Sequence, residues 1–198
     1  EEFFQKIRFL LKDITIMGWD CAPGTYGQFK KLKYTDVIFT CSQEKKVFFK
    51  DKGINSICVG HFFDFEFLEK SDEILKEYDV VFAGTINRRT TEKRLNFLKE
   101  LISRGLNLTI FANTEDLFLK DYCLPPVYGN DFLKILKKAK IVLNQHVQEN
   151  IKYSGNIRMY ETTGVGTLLL TDYKEDLFEK YKENDEIVVY KTIDKIVE

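Results

Sequence analysis

The chain has 198 residues, 44% of them hydrophobic, and carries 30 Lys and Arg against 31 Asp and Glu. This length allows one domain or one and a half, and the apolar content suits a globular core. The balanced charge argues against a duplex-DNA binder, which normally shows a basic stripe, and no apolar run reaches the roughly 18 residues of a membrane span.

Both ends of the chain run through helical patterns. EEFFQKIRFLLKD begins without Met, and TIDKIVE stops one or two turns into another pattern. We therefore expect the sequence to be a fragment of a longer protein.

The first part of the chain alternates short apolar runs with amphipathic stretches. Ser42 is the predicted N-cap of the second helix, with Lys45 and Lys46 in solvent and Val47 and Phe48 facing inward. The predicted strands are 13–18, 36–41 and 56–60, and the predicted helices lie near 26–33 and 43–52.

From Tyr78 onward the alternation of strands and helices is clearer. Leu95, Leu98, Leu101 and Ile102 fall on one face of the first helix, and Asn130 is the predicted cap of the second. The predicted strands are 79–84, 107–112, 140–145, 166–171 and 186–190, and the predicted helices are 91–103, 130–139, 175–181 and the tail.

These strands are almost wholly apolar, as expected for strands covered on both faces. The pattern predicts an α/β fold with a doubly wound parallel sheet and a partial second α/β unit. The predicted boundaries are 1–64 for the partial unit, 65–77 for a linker and 78–198 for the main unit.

The first candidate site follows strand 79–84, because ligands of such sheets bind beyond the carboxyl ends of the strands. Gly84 permits a tight exit there, and Thr85 follows it. No G-x-G-x-x-G or P-loop is present, which disfavours nicotinamide cofactors and ATP hydrolysis. A cluster of cations next to a helix N-terminus suits a diphosphate. A solvated basic face is the alternative interpretation. The cluster consists of Arg88, Arg89, Lys93 and Arg94.

The second candidate site follows the run KIVLN. Asn144 and His146 end the strand, although a lone His is more often structural than catalytic. Gly155 and Asn156 form a turn whose N–H groups can face an anion, and Arg158 adds positive charge.

Glu161 is placed early in a short helix between Arg158 and the next buried strand, and Thr162 is grouped with it as a nucleotide-binding candidate. Its carboxylate can accept two hydrogen bonds from vicinal hydroxyls such as those of a ribose. A partner for the helix dipole is the alternative role.

The cysteines indicate the compartment. Cys21, Cys41, Cys58 and Cys123 include no C-x-x-C pair, so a zinc site is not expected. Buried thiols in a reducing cytoplasm are favoured over disulfides.

The elements from 79 to 198, and above all NIRMYETTGVGTLLLTD, resemble the C-terminal nucleotide-sugar-binding domain of GT-B glycosyltransferases, closest to the group-1, spore-maturation-protein-like type. DVIFTCSQEKKVFFKDKGINSICVGHFFD resembles the end of the preceding N-terminal domain. The resemblance assigns 1–64 to that N-terminal remnant and 78–198 to the donor-binding, Rossmann-like domain.

The resemblance implies sugar transfer from a nucleotide-diphosphate-sugar to a glycan, lipid or protein acceptor, without a bound metal. Glu161 would bind the donor ribose, and the diphosphate would meet Arg88 or Arg89, aided by Arg158 and the Gly155–Asn156 backbone. The likeness also implies cell-envelope polysaccharide biosynthesis in the cytoplasm, with peripheral membrane contact through the preceding N-terminal part.

One departure from the family pattern keeps other functions open. The first carboxylate of the E-x(7)-E signature falls on Tyr153. A non-catalytic binding module that retains the fold is therefore an alternative, and an epimerase or another GT-B relative is a third. Because the acceptor site of this fold lies mostly in the N-terminal domain, we expect the chain alone to bind donor weakly and to transfer little.

Overall fold

The computed structural model describes residues 2–10, 12–13, 15–20, 34–63, 66, 75–86, 92–146 and 152–197. The chain divides into two compact units. The first comprises Glu1–His61 with Tyr153–Gly155, and the second comprises Phe62–Lys152 with Asn156–Glu198. The boundaries expected at 64 and 77 stay a prediction.

The first unit contains a parallel sheet in the order β1-β2-β3. Ser42 caps the second helix as predicted, because its Oγ accepts a hydrogen bond from the Lys45 backbone N–H at 3.2 Å. The helix expected near 26–33 lies outside the described residues. The elements are α1 (Glu2–Leu10), β1 (Met17–Asp20), β2 (Val37–Thr40), α2 (Gln43–Asp51) and β3 (Ser56–Cys58).

The inward face of α2 differs from the prediction. Phe49 is 2% exposed and Lys45 is 5% exposed, whereas Val47 is 58% exposed. Lys45 and Phe49 lie four residues apart and so share a face. The buried stripe is therefore rotated by about one residue, or about 100°, from the expected one.

In the part of the second unit that the structure describes, six parallel strands form a sheet in the order β6-β5-β4-β7-β8-β9, which confirms the predicted parallel sheet. The strand order reverses direction at β4 and β7, the topological switch point of a doubly wound sheet. Its strands are β4 (Tyr78–Ala83), β5 (Leu108–Phe111), β6 (Cys123–Leu124), β7 (Ala139–Asn144), β8 (Leu168–Asp172) and β9 (Ile187–Tyr190). Its helices are α3 (Glu92–Ser103), α4 (Gly129–Lys138), α5 (Ile157–Gly164), α6 (Leu177–Lys180) and α7 (Asp194–Val197).

Strand β4 is buried on both faces. Val80 and Phe82 pack in the cluster that holds Leu98 of α3, while Val81 packs with Leu136 of α4. The predicted inward face of α3 is confirmed, since Leu95, Leu98, Leu101 and Ile102 are all buried. This two-sided burial is why the strand reads as a continuous apolar run.

The start of α4 corrects one expectation. Its N-cap is Tyr128, not Asn130, and no side chain caps it. Gly129 has φ of +58°, a conformation that glycine adopts without steric cost. The helix therefore begins before Asn130, which is exposed within its first turn.

Candidate functional site

A cleft of about 430 Å³ opens beyond the carboxyl ends of β4 and β5. This is the edge at which a doubly wound sheet binds its ligands. Its walls come from 83–86 after β4, 111–113 after β5, 126–129 with Phe132 at α4, and Ile157, Arg158 and Glu161 of α5.

Helix α5 is anchored to the sheet edge by a chain of hydrogen bonds. The Asn144 Nδ2 group donates to Thr171 Oγ1 at 2.9 Å, and Asn156 Nδ2 donates to Asn144 Oδ1 at 2.7 Å. Asn156 is also the N-cap of α5, because its Oδ1 accepts from the Arg158 backbone N–H at 3.0 Å. The ends of β7 and β8 thus fix where α5 begins, and with it the position of Glu161.

Arg158 and Glu161 form an ion pair in the wall of the cleft. Arg158 Nη1 donates to Glu161 Oε2 at 3.2 Å, with side-chain exposures of 19% and 22%. The guanidinium carbon lies 3.8 Å from the centroid of the Phe132 ring, a favourable cation–π distance. Burial lowers the pKa of Arg158, and the charge of Glu161 opposes that shift.

Arg94 connects the loops that follow the two central strands. Its Nη1 donates to the Thr85 carbonyl at 3.1 Å and its Nη2 to the Gln145 carbonyl at 2.5 Å. Its guanidinium carbon also lies 5.4 Å from the Phe82 ring centroid. Arg94 is only 7% exposed, so this member of the predicted cationic cluster holds backbone groups instead of lying on a solvated face.

His146 is paired with Asp172 at the ends of β7 and β8. Asp172 Oδ1 accepts from the His146 backbone N–H at 2.9 Å and lies 2.7 Å from Nδ1. Lys174 Nζ lies 3.5 Å from Asp172 Oδ2. Burial acts to raise the pKa of Asp172, but the hydrogen bonds and charge of His146 and the charge of Lys174 outweigh it and lower that pKa.

The predicted site residues do not all lie in one place. Gly84, Thr85, Arg158 and Glu161 line the cleft together. Asn144, His146 and Asn156 belong to the hydrogen-bond network beside it, and Thr162 is fully buried. Gly155 belongs to the first unit, where its carbonyl lies 3.1 Å from His61 Nε2. Arg88 and Arg89 lie outside the described residues.

Sequence reasoning missed Phe132 and Asp172. Phe132 reads as an ordinary core residue of an amphipathic helix, and nothing in its spacing points to Arg158. Asp172 is the last residue of β8, as Asn144 is the last residue of β7. A polar residue at that edge of the sheet was the available signal.

A family model described as "Glycosyl transferase-like" matches residues 88–198, more than half of the chain. The chain belongs to this glycosyltransferase family. The recognition made from NIRMYETTGVGTLLLTD and its neighbours is therefore confirmed. No curated protein sequence matches the chain.

Solved structures are also similar to this chain in fold. HepE from Anabaena, solved in complex with UDP-glucose, has a TM-score of 0.63 at 9% identity, covering 98% of this chain and 63% of HepE. The chain thus spans less than two-thirds of HepE. The E. coli heptosyltransferase WaaC, solved with ADP-2-deoxy-2-fluoro heptose, has 13% identity over 96% of this chain and 70% of WaaC, with a TM-score of only 0.39.

Two further observations concern the described residues. None of their helices is long and apolar enough to cross a membrane. No group of three or more His, Cys, Asp or Glu side chains among them is arranged to hold a metal ion.

Proposed function

We propose that this chain is the donor-binding part of a glycosyltransferase that transfers a sugar from a nucleoside-diphosphate-sugar to a glycan, lipid or protein acceptor. Glu161 accepts hydrogen bonds from the donor ribose. The loop at Gly84 and Thr85 faces the diphosphate, and Arg88 and Arg89 supply its positive charge.

The observation that carries the proposal is the shared cleft. Glu161 and Arg158 of α5 line the same space as Gly84 and Thr85 after β4. An acid and a glycine-containing loop at the carboxyl edge of a parallel sheet can hold a ribose and a phosphate side by side. Membership of the family and the HepE fold agree with this use of the cleft.

The proposed chemistry depends on the leaving group. Negative charge grows on the phosphate oxygen as the sugar–phosphate bond lengthens, and fixed donors near that oxygen lower the barrier. In our proposal, guanidinium groups neutralise that negative charge, so a bound metal is not required. Cytoplasmic location and a role in cell-envelope polysaccharide synthesis, as the resemblance implies, complete the proposal.

Calorimetric titration with UDP, ADP, GDP and CDP tests the binding step. We expect the wild-type chain to bind at least one of them and Glu161→Ala to bind it about tenfold or more weakly, since a hydrogen bond to a charged group contributes about 1.5–3 kcal/mol. Glu179→Ala, at an exposed position of α6, is the control and is expected to bind like wild type.

The transfer step is measured with the full-length protein. With the matching sugar nucleotide and an acceptor extract, we expect release of the nucleoside diphosphate together with a glycosylated product. Binding without release or product would favour the non-catalytic module, and the absence of binding would refute the donor site itself.

A further inference from the structure

Arg158 is held in the cleft wall by contacts on two sides. One face of its guanidinium group lies over Phe132, at 3.8 Å from the ring centroid. One edge donates to Glu161 at 3.2 Å. All three residues line the cleft with Gly84 and Thr85, so the contact is part of the ligand-facing wall.

Helix formation does not explain an arginine at this position. Arg158 lies in the first turn of α5, just after the Asn156 cap. A cation there opposes the helix dipole, which favours negative charge at the N-terminus. The group is also largely buried, and burial of a charge costs free energy unless it is paired. Phe132 and Glu161 offset that cost, and the arrangement places the guanidinium next to the acid.

The pairing leaves Glu161 with one oxygen directed elsewhere. Oε2 accepts from Arg158, while Oε1 accepts no hydrogen bond from any residue within the described ranges. An ionised carboxylate has about four lone-pair positions. With one oxygen fixed by the guanidinium, the carboxylate cannot rotate freely, and its other oxygen stays available to hydroxyl donors in the cleft.

The same pairing weakens Arg158 as a phosphate ligand. Its charge is compensated at 3.2 Å by Glu161, so the pair together presents little net charge to a diphosphate. Stacking on Phe132 further restricts the group, because one face is already covered.

We propose that Arg158 is a positioning residue that orients the Glu161 carboxylate toward the ribose hydroxyls of the donor and does not bind the diphosphate. This inference rests on the proposed function and assigns Arg158 differently from the family-based expectation. Phe132 supports the guanidinium from behind.

The test separates hydroxyl recognition from phosphate recognition. The probe is UDP, or whichever of ADP, GDP and CDP binds the wild-type chain most tightly. Two ratios of dissociation constants are measured by calorimetry. The hydroxyl ratio compares the 2′,3′-dideoxy diphosphate with the diphosphate, and the phosphate ratio compares the monophosphate with the diphosphate.

For wild type we expect a hydroxyl ratio of about 10 or more, as for hydrogen bonds to a charged group. Arg158→Gln should reduce that ratio to about 1–3 and leave the phosphate ratio within about twofold of wild type. Arg158→Lys keeps a charge for Glu161 but loses the planar stack, and should give an intermediate hydroxyl ratio. Glu161→Gln should bring the hydroxyl ratio close to 1. The double variant, with Arg158→Gln and Glu161→Gln together, should lower the ratio no further than the single variants do, as for residues that act as a unit.

Arg104→Gln is the matched control, because Arg104 forms exposed ion pairs with Glu100 and Asp194 on the surface. It should keep both ratios.

A fall in the phosphate ratio of Arg158→Gln with an unchanged hydroxyl ratio would overturn the inference, and so would two unchanged ratios. If wild type binds a diphosphate but shows no hydroxyl preference, the positioning role fails while a nucleotide site survives. If wild type binds none of the four diphosphates, the proposed function and the inference fall together.

Discussion

Asn156 joins the N-terminus of helix α5 to the end of strand β7 through Asn144, whose Oδ1 accepts from Asn156 Nδ2 at 2.7 Å. Asn156 also caps the helix, because its Oδ1 accepts a hydrogen bond from the Arg158 backbone N–H. A single side chain therefore sets both the start of α5 and its attachment to the sheet.

We expect Asn156→Ala to lower the free energy of unfolding by about 1–2 kcal/mol, the usual cost of losing a cap, plus the loss of the Asn144 contact. Asn156→Ser loses the Asn144 contact because serine is shorter, but it keeps an oxygen that can cap the helix. It should therefore cost less stability than Asn156→Ala. Urea unfolding measures both. Hydrogen exchange at the Arg158 amide should accelerate more in the alanine variant, and equal exchange in all three proteins would argue against the cap.

Arg94→Met tests the connection between the loops after β4 and β7. The variant leaves the Thr85 and Gln145 carbonyls without their donor, and we expect a loss of about 2 kcal/mol in urea unfolding. Lys134→Met removes an exposed ion pair with Asp131 and should change stability by less than about 0.5 kcal/mol. Equal effects of the two substitutions would refute the buried role of Arg94.

The lowered pKa of Asp172 predicts a pH dependence of stability. A carboxyl whose folded pKa lies below its unfolded value, about 3.9 for Asp, stabilises the fold above that unfolded value. The contribution is lost as pH falls through the folded pKa. We expect Asp172→Asn to cost about 1–3 kcal/mol at pH 7 and to flatten the decline in unfolding free energy between about pH 5 and pH 2. Parallel declines in the two proteins would show that Asp172 is not responsible.

Gly164 leaves room for an aromatic ring at the end of α5. A Cβ at this position would lie 2.4 Å from Phe63 Cγ, far inside contact distance. We expect Gly164→Ala to destabilise the chain by about 1–3 kcal/mol, the usual cost of overpacking. Combining it with Phe63→Ala should recover part of that loss relative to the sum of the single variants. Strictly additive melting data would contradict the predicted clash.

The sequence predicted the sheet well because its strands are buried on both faces. Runs such as DVVFAG and KIVLNQ are apolar on both faces after a single charged residue, Asp79 or Lys140, near the start of the strand, so their type and order could be read directly. The buried faces of helices were predicted less well where a helix has only a few apolar residues. In α2, Phe49 and not Val47 is buried.

The site was predictable in part. Glu161 and Arg158 were named from their position between a Gly-containing turn and the next buried strand. Their contact with Phe132 was not, because that residue belongs to another helix and the pairing depends on tertiary packing. The backbone role of Arg94 was also hidden, since a sequence shows a charge but not what surrounds it.

The most direct test of the central claim is a crystal structure of the chain with the nucleoside diphosphate selected in the titrations. We predict the nucleotide in the cleft at the carboxyl ends of β4 and β5, with a ribose hydroxyl within about 3.2 Å of the Glu161 carboxylate and the phosphates facing the loop at Gly84. A nucleotide bound elsewhere, or bound in the cleft with Glu161 out of reach of its ribose, would contradict the account.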